Sequence, residues 1–194
     1  MLVKIFSGAV SGIEATTITI EVNILWGAKF IIVGLPDNAV KESQQRVDSA
    51  LRNIGSKIPG KRIIVNLAPA DVKKEGSAYD LPLAVGILAA NEEIPATELP
   101  HFAMLGELSL DGSLLAVKGV LPIAINAKAE GFSHMIVPYE NANEAAVVKG
   151  LKVYGFSHLR EVTSFLKKEQ TYSPMLFHSP KNEIDNSRFF YDFK

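Results

Sequence analysis

The order of apolar and polar positions divides the chain into strands that come first and a later region where helices and strands alternate. Residues 2–10 and 14–24 are rich in Val, Ile and Thr, and Ser11-Gly12 between them is a hairpin signal. In the second run Ala15, Thr17, Thr19 and Glu21 interleave with Thr16, Ile18, Ile20 and Val22, the two-residue period of a half-buried strand. Residues 30–33 form a third, more apolar strand that ends at Gly34-Leu35-Pro36. Pro36-Asp37-Asn38 then predicts a helix start, because Asp37 or Asn38 can accept from the first free amides and proline bars an earlier beginning. Val40, Val47, Leu51 and Ile54 fall on one face of that helix, and Gly55 can take the left-handed conformation that closes it.

Residues 61–67 read as an apolar strand behind Pro59-Gly60. The loop 68–79 leads into a helix over 80–90 that is apolar nearly all round and so predicted to be buried, with Asp80 as its N-cap. Segments 104–107 and 114–117 flank Asp111-Gly112, a strong turn dipeptide, and predict a hairpin. A helix over 119–130 ends at Gly131. Strand 134–137, helix 140–149 and strand 152–155 then make a βαβ unit, whose strands are expected to be parallel with a right-handed crossover. Leu159, Val162, Phe165 and Leu166 mark a last helix. The pattern predicts one mixed α/β (α+β) domain over 1–167. Residues 168–182 carry two prolines and no periodicity, which suits a linker. Four aromatics stand among residues 189–193, either the beginning of a further domain or a tail that folds back.

Composition narrows the class. Apolar residues make up 47% of 194, enough for a packed core. The absence of cysteine excludes a disulfide framework and a thiolate zinc site. No apolar run reaches the ~18 residues that span a bilayer. The first residues alternate like a strand and do not read as a signal peptide, so a cytoplasmic protein without a membrane partner is expected. Net charge is −1, yet residues 41–75 hold eight basic side chains against four acidic ones. That excess is either a phosphate-facing surface or a solvated helix face with its loops; Arg46, Lys61, Arg62, Lys73 and Lys74 are the candidates for contact with nucleic acid.

Familiar chemistry is missing. There is no Gly-x-x-x-x-Gly-Lys-Ser/Thr phosphate loop and no Gly-x-Gly-x-x-Gly after a strand, so no cofactor site is expected within these residues. His101, His134, His158 and His178 lack the spacing of a metal site. Asp71, Glu75 and Asp80 are close in sequence and could form a carboxylate site, although two lysines stand beside Glu75.

Several peptides together carry a resemblance: Ile32-Val33-Gly34-Leu35-Pro36-Asp37 with Ala39-Val40-Lys41-Glu42; Val65-Asn66-Leu67-Ala68-Pro69-Ala70-Asp71; Lys73-Lys74-Glu75-Gly76 with Tyr79-Asp80-Leu81-Pro82-Leu83-Ala84; and Gly106-Glu107-Leu108. In this order they resemble the N-terminal domain of the magnesium-chelatase-like AAA+ ATPases, the ComM or YifB family, over about residues 1–167. The resemblance implies a parent ATPase that forms a homo-oligomeric ring and handles DNA during recombination of transforming DNA. Its ATP and Mg would bind in a further module beginning near the aromatic terminus. The domain in turn resembles the proteolytic domain of Lon, built on the fold of the second domain of a small-subunit ribosomal protein. Lon uses a serine nucleophile and a lysine base. Gapless matching puts Ala78 at the nucleophile position and Leu121 at the lysine position, with Ser77 and Lys118 as displaced alternatives. The resemblance therefore implies an accessory domain without catalytic residues. A Ser-Lys peptidase and a partner-binding module of a metal chelatase are the other readings.

Overall fold

The computed structural model describes residues 1–56, 60 and 62–177. Strands β1 (Leu2–Ser11) and β2 (Glu14–Leu25) form the predicted hairpin, running in register from Leu2 opposite Asn23 to Ser11 opposite Glu14. β3 (Phe30–Val33) lies parallel to β4 (Arg62–Ala68), and β4 runs antiparallel to β2. On the other side β1 is followed by β5 (Phe102–Met104), β8 (His134–Pro138) and β9 (Lys152–Phe156), each parallel to its neighbour. The result is a seven-stranded mixed sheet in the order β3-β4-β2-β1-β5-β8-β9. β6 (Glu107–Leu108) and β7 (Leu114–Leu115) pair as a separate ribbon.

Strand alternation distributes the five helices over two faces. Val3 and Ile5 of β1, Ile20 and Val22 of β2, and Val65 and Leu67 of β4 point to one side, against α1 (Asn38–Asn53), α2 (Asp80–Ala90) and α5 (Leu159–Leu166). Ala103, Met135, Val137 and Val153 point to the other, against α3 (Val120–Ala129) and α4 (Tyr139–Ala145). α2 is buried along its whole length, as its unbroken apolar sequence predicts. Gly86 sits where α2 crosses the hairpin, and a Cβ there would lie 2.7 Å from Val22 Cγ2. α1 begins as expected, with the Asp37 carboxylate accepting from the Val40 amide at 2.8 Å. The βαβ unit is parallel as predicted, with His134 opposite Lys152 and Pro138 opposite Phe156.

Four local expectations are corrected. Asp80 does not cap α2: Tyr79 occupies that position without a side-chain hydrogen bond, and the Asp80 carboxylate turns inward to Arg46 and the Leu108 amide. Met104 is wholly buried in the main sheet, which leaves the hairpin only its two-residue strands. α4 stops at Ala145, short of the expected end at residue 149, and turns follow up to Gly150. The first part of the stretch expected as a linker packs on the domain: Tyr172 meets Phe156 and Phe165 edge-on, and the Met175 amide donates to the Val153 carbonyl at 2.7 Å. His178 and the aromatic terminus lie outside the described residues. Among the described residues no helix is long and apolar enough to cross a membrane.

Candidate functional site

The loop between β4 and α2 is tied down at its base. Gly34, at φ +99°, brings the chain after β3 so close to β4 that a Cβ would lie 2.1 Å from the Leu67 carbonyl oxygen. Only glycine suits that approach. The chain then meets the loop through two backbone bonds, Asp37 N to Lys74 O at 3.0 Å and Lys74 N to Leu35 O at 3.3 Å. The second Asp37 carboxylate oxygen accepts from Gly76 N at 3.1 Å, so one side chain starts α1 and pins the loop. Lys74 is wholly buried and donates to the Pro69 carbonyl. Burial pushes its amine down, against a weaker upward pull from Asp71. Tyr79 is buried beside it; burial drives its phenol up, and the charges of Asp37 and Glu75 add to this.

Two cavities flank this loop. One, of about 840 Å³, lies between the end of β1, the loop at Asp71 and Lys73, and Ala78, Tyr79 and Lys118. The other, of about 280 Å³, is lined by Ser77, Ala78, Glu107 and Lys118 among others. Ala78, where the resemblance to Lon puts the nucleophile, borders both. It offers a methyl group where an attacking oxygen is needed. Ser77 and Lys118 do share the smaller cavity, but the Ser77 hydroxyl is held by the Glu107 carboxylate. Lys118 is exposed and lacks a hydrogen-bond or ion-pair partner among the described residues. Leu121 is half-buried, and its amide donates to Glu144 at 3.0 Å. A serine–lysine hydrogen bond, which would activate a nucleophile, is not made here.

Glu107 is positioned by an ion pair with no sequence signal, since its members are 34 residues apart. Arg46 Nε and Nη2 donate to the two Asp80 oxygens at 2.6 and 3.0 Å, and Leu108 N donates to Asp80 at 3.1 Å. α1, α2 and β6 are thereby joined at one carboxylate. Asp80 is entirely enclosed, and burial pushes its carboxyl up while the Arg46 guanidinium, Ser43 and the Leu108 amide pull it down. Asp71 and Glu75 do not join it in a carboxylate site. Asp71 is exposed, and Glu75 pairs with Lys73. Among the described residues no three His, Cys, Asp or Glu side chains are grouped to hold a metal. His134 stacks on Phe102, and His158 caps α5 by accepting from Arg160 N at 3.1 Å.

The basic candidates are placed in different surroundings. Arg46 is committed to Asp80 and Lys74 is enclosed, which corrects the expectation that both reach outward. In each case the cation has an internal acceptor that solvent-facing chains lack. Arg62 and Lys73 are exposed, but Arg62 begins β4 and Lys73 follows its other end, a strand roughly 20 Å long. Lys61 lies outside the described residues.

A family model described as subunit ChlI of Mg-chelatase matches residues 20–141. Competence protein ComM of Haemophilus influenzae is 45% identical over 170 residues, covering 87% of this chain and 33% of that protein. YifB of Escherichia coli is 41% identical over 160 residues, covering 82% of this chain and 31% of that protein. Lon protease 2 of Bacillus subtilis is 32% identical over 125 residues, covering 63% of this chain and 22% of that protein. The chain spans about a third of the length of the ComM and YifB relatives. A mixed sheet backed by helices on both faces thus accompanies a family match over more than half of the residues: the chain belongs to the Mg-chelatase ChlI family, alongside ComM and YifB.

Proposed function

We propose that this chain is the Lon-like accessory domain of a ComM-like AAA+ ATPase, and that it serves ring assembly and guidance of DNA without hydrolysing peptides. The cleft carries this reading. Ala78 stands where the resemblance to Lon puts the nucleophile, and the adjacent Ser77 hydroxyl donates to Glu107 and makes no hydrogen bond to Lys118, the base that a Ser-Lys peptidase would need. ATP and Mg would bind in an ATPase module in the remaining two-thirds of the relatives' length, and the parent would act in the cytoplasm. The Haemophilus relative is named a competence protein, and the role proposed for the parent is recombination of transforming DNA, including branch migration.

Two measurements on the full-length protein test this. A serine-reactive phosphonate should leave Ser77 unlabelled; labelling abolished by Lys118→Ala would establish the Ser-Lys peptidase instead. Arg62→Glu/Lys73→Glu should lower DNA affinity and flatten its salt dependence, since phosphate contacts act through counterion release. Unchanged affinity and slope would confine the domain to assembly or to partner binding.

A further inference from the structure

The two edges of the seven-stranded sheet are treated differently. At β9 the chain covers its own edge: Met175 N donates to Val153 O, and Tyr172 packs on Phe156 and Phe165. At β3 nothing comparable is present among the described residues. Among the described residues, Phe30–Val33 pair only with β4, and no other backbone group bonds to them. Edge strands are ordinarily protected by a charge, a proline or a bulge, because their free amides and carbonyls recruit other strands. Phe30-Ile31-Ile32-Val33 has none of these.

The apolar surface at this edge is arranged at both ends of the strand. Trp26, the residue after β2 in the loop that leads to β3, is 95% exposed, and Leu35, just after β3, is 54% exposed. Leu25 and Val33 are exposed as well. Alternation puts Phe30 and Ile32 on the side of α1 and α2, where both pack against the core, and Ile31 and Val33 on the opposite side.

We propose that the free edge of β3 is an interface between two copies of this chain, paired antiparallel about a two-fold axis centred on Ile31. The geometry favours a second copy because this edge is self-complementary. A two-fold normal to the sheet keeps each side chain on its own face, as an isologous contact requires. Ile31 then faces Ile31 of the second copy, and Phe30 faces Ile32. The one adjoining charge, Lys29, falls opposite Val33, so no like charges meet. The same operation brings the loop that carries Trp26 toward Leu35 of the mate. The contact is independent of whether the chain serves an ATPase.

Sedimentation velocity on the 194-residue chain tests this over roughly 5–500 µM, where a small interface dissociates. The wild type should double its mass as concentration rises, and emission from Trp26, the one tryptophan, should shift to shorter wavelength in parallel. Ile31→Lys and Ile31→Glu each place like charges on the axis and should raise the dissociation constant at least tenfold, with circular dichroism unchanged. Mixing the two variants should restore the dimer, because the axis then pairs Lys with Glu. A monomeric wild type throughout overturns the proposal. So does a folded Ile31→Lys chain that dimerises like wild type, or a mixture of folded variants that stays monomeric.

Discussion

Replacing Arg46 with methionine should be among the most destabilising changes that leave the apolar core intact. Methionine keeps most of the side chain's length and removes the charge, so packing on α1 is largely preserved. Asp80 then loses the two bonds at 2.6 and 3.0 Å and retains the Leu108 amide at 3.1 Å. Its carboxylate is fully enclosed, so water cannot replace the guanidinium. Removing one member of a buried pair costs about 3–5 kcal/mol. The cost depends on pH with a definite sign. Burial already pushes the Asp80 carboxyl up, and loss of Arg46 raises it further. A carboxyl whose folded pKa exceeds its unfolded value leaves stability full below the unfolded pKa, and that stability is lost as pH rises through the folded one. Between pH 7 and pH 5 the gap between wild type and variant therefore narrows as pH falls, by up to about 1.4 kcal/mol for each unit below the variant's pKa. Urea denaturation at both pH values, with unchanged slopes, measures it. Arg46→Met/Asp80→Asn should recover at least half the loss at pH 7, because no buried charge is left alone. A cost below about 1 kcal/mol at pH 7, or a gap that widens toward pH 5, would refute the reasoning.

Three further outcomes follow from the same geometry. Leu83→Ala, in the wholly buried α2, should cost roughly 2–5 kcal/mol; an unshifted thermal midpoint would show that the site refills. Gly34→Ala should cost about 3 kcal/mol or more, because φ is +99° and its Cβ would lie 2.1 Å from Leu67 O; a melting curve like wild type would mean the loop base can open freely. Lys74→Met should hold or raise stability at pH 7. Burial depresses the Lys74 amine, so its contribution is present above the unfolded pKa and lost as pH falls through the folded one. The methionine variant should lack that dependence in alkaline melts; a loss above about 1 kcal/mol would show that the bond to Pro69 outweighs desolvation.

Much of the fold was legible because the signals were local. Asp37 starts α1, α2 runs over the predicted residues, and the strand–helix–strand unit after Gly131 is parallel. The site was legible in part. The resemblance to Lon points to a turn before a buried helix, with Ser77, beside Ala78, and Lys118 as displaced alternatives, and both line the smaller cavity. What could not be read was which polar groups face inward. Arg46 flanks the apolar stripe of α1 like any solvated cation, and its destination, Asp80, is set by the packing of α1 on α2. Lys74 sits in a polar stretch, and its burial follows from the close passage of Gly34 over β4, which no local pattern encodes. Charge counting along the chain treats such residues as surface; tertiary contact had already spent two of them.

The helix α2 has another bearing, on how the chain reaches its fold. Its eleven residues have no polar face, so in water the segment has no orientation that shields it. The elements that wall it on the sheet side and the α1 side, namely β1, β2 and α1, precede it in the sequence. A ribosome working from the N-terminus therefore delivers the receptacle before the apolar helix, and docking can follow emergence at once. Circular permutation opening a new N-terminus between β4 and α2 would reverse that order. The permuted chain would contain the same contacts, yet its greasiest segment would wait exposed for the whole hairpin and α1 to be synthesised, a difference that appears as aggregation during expression and not as a change in native stability.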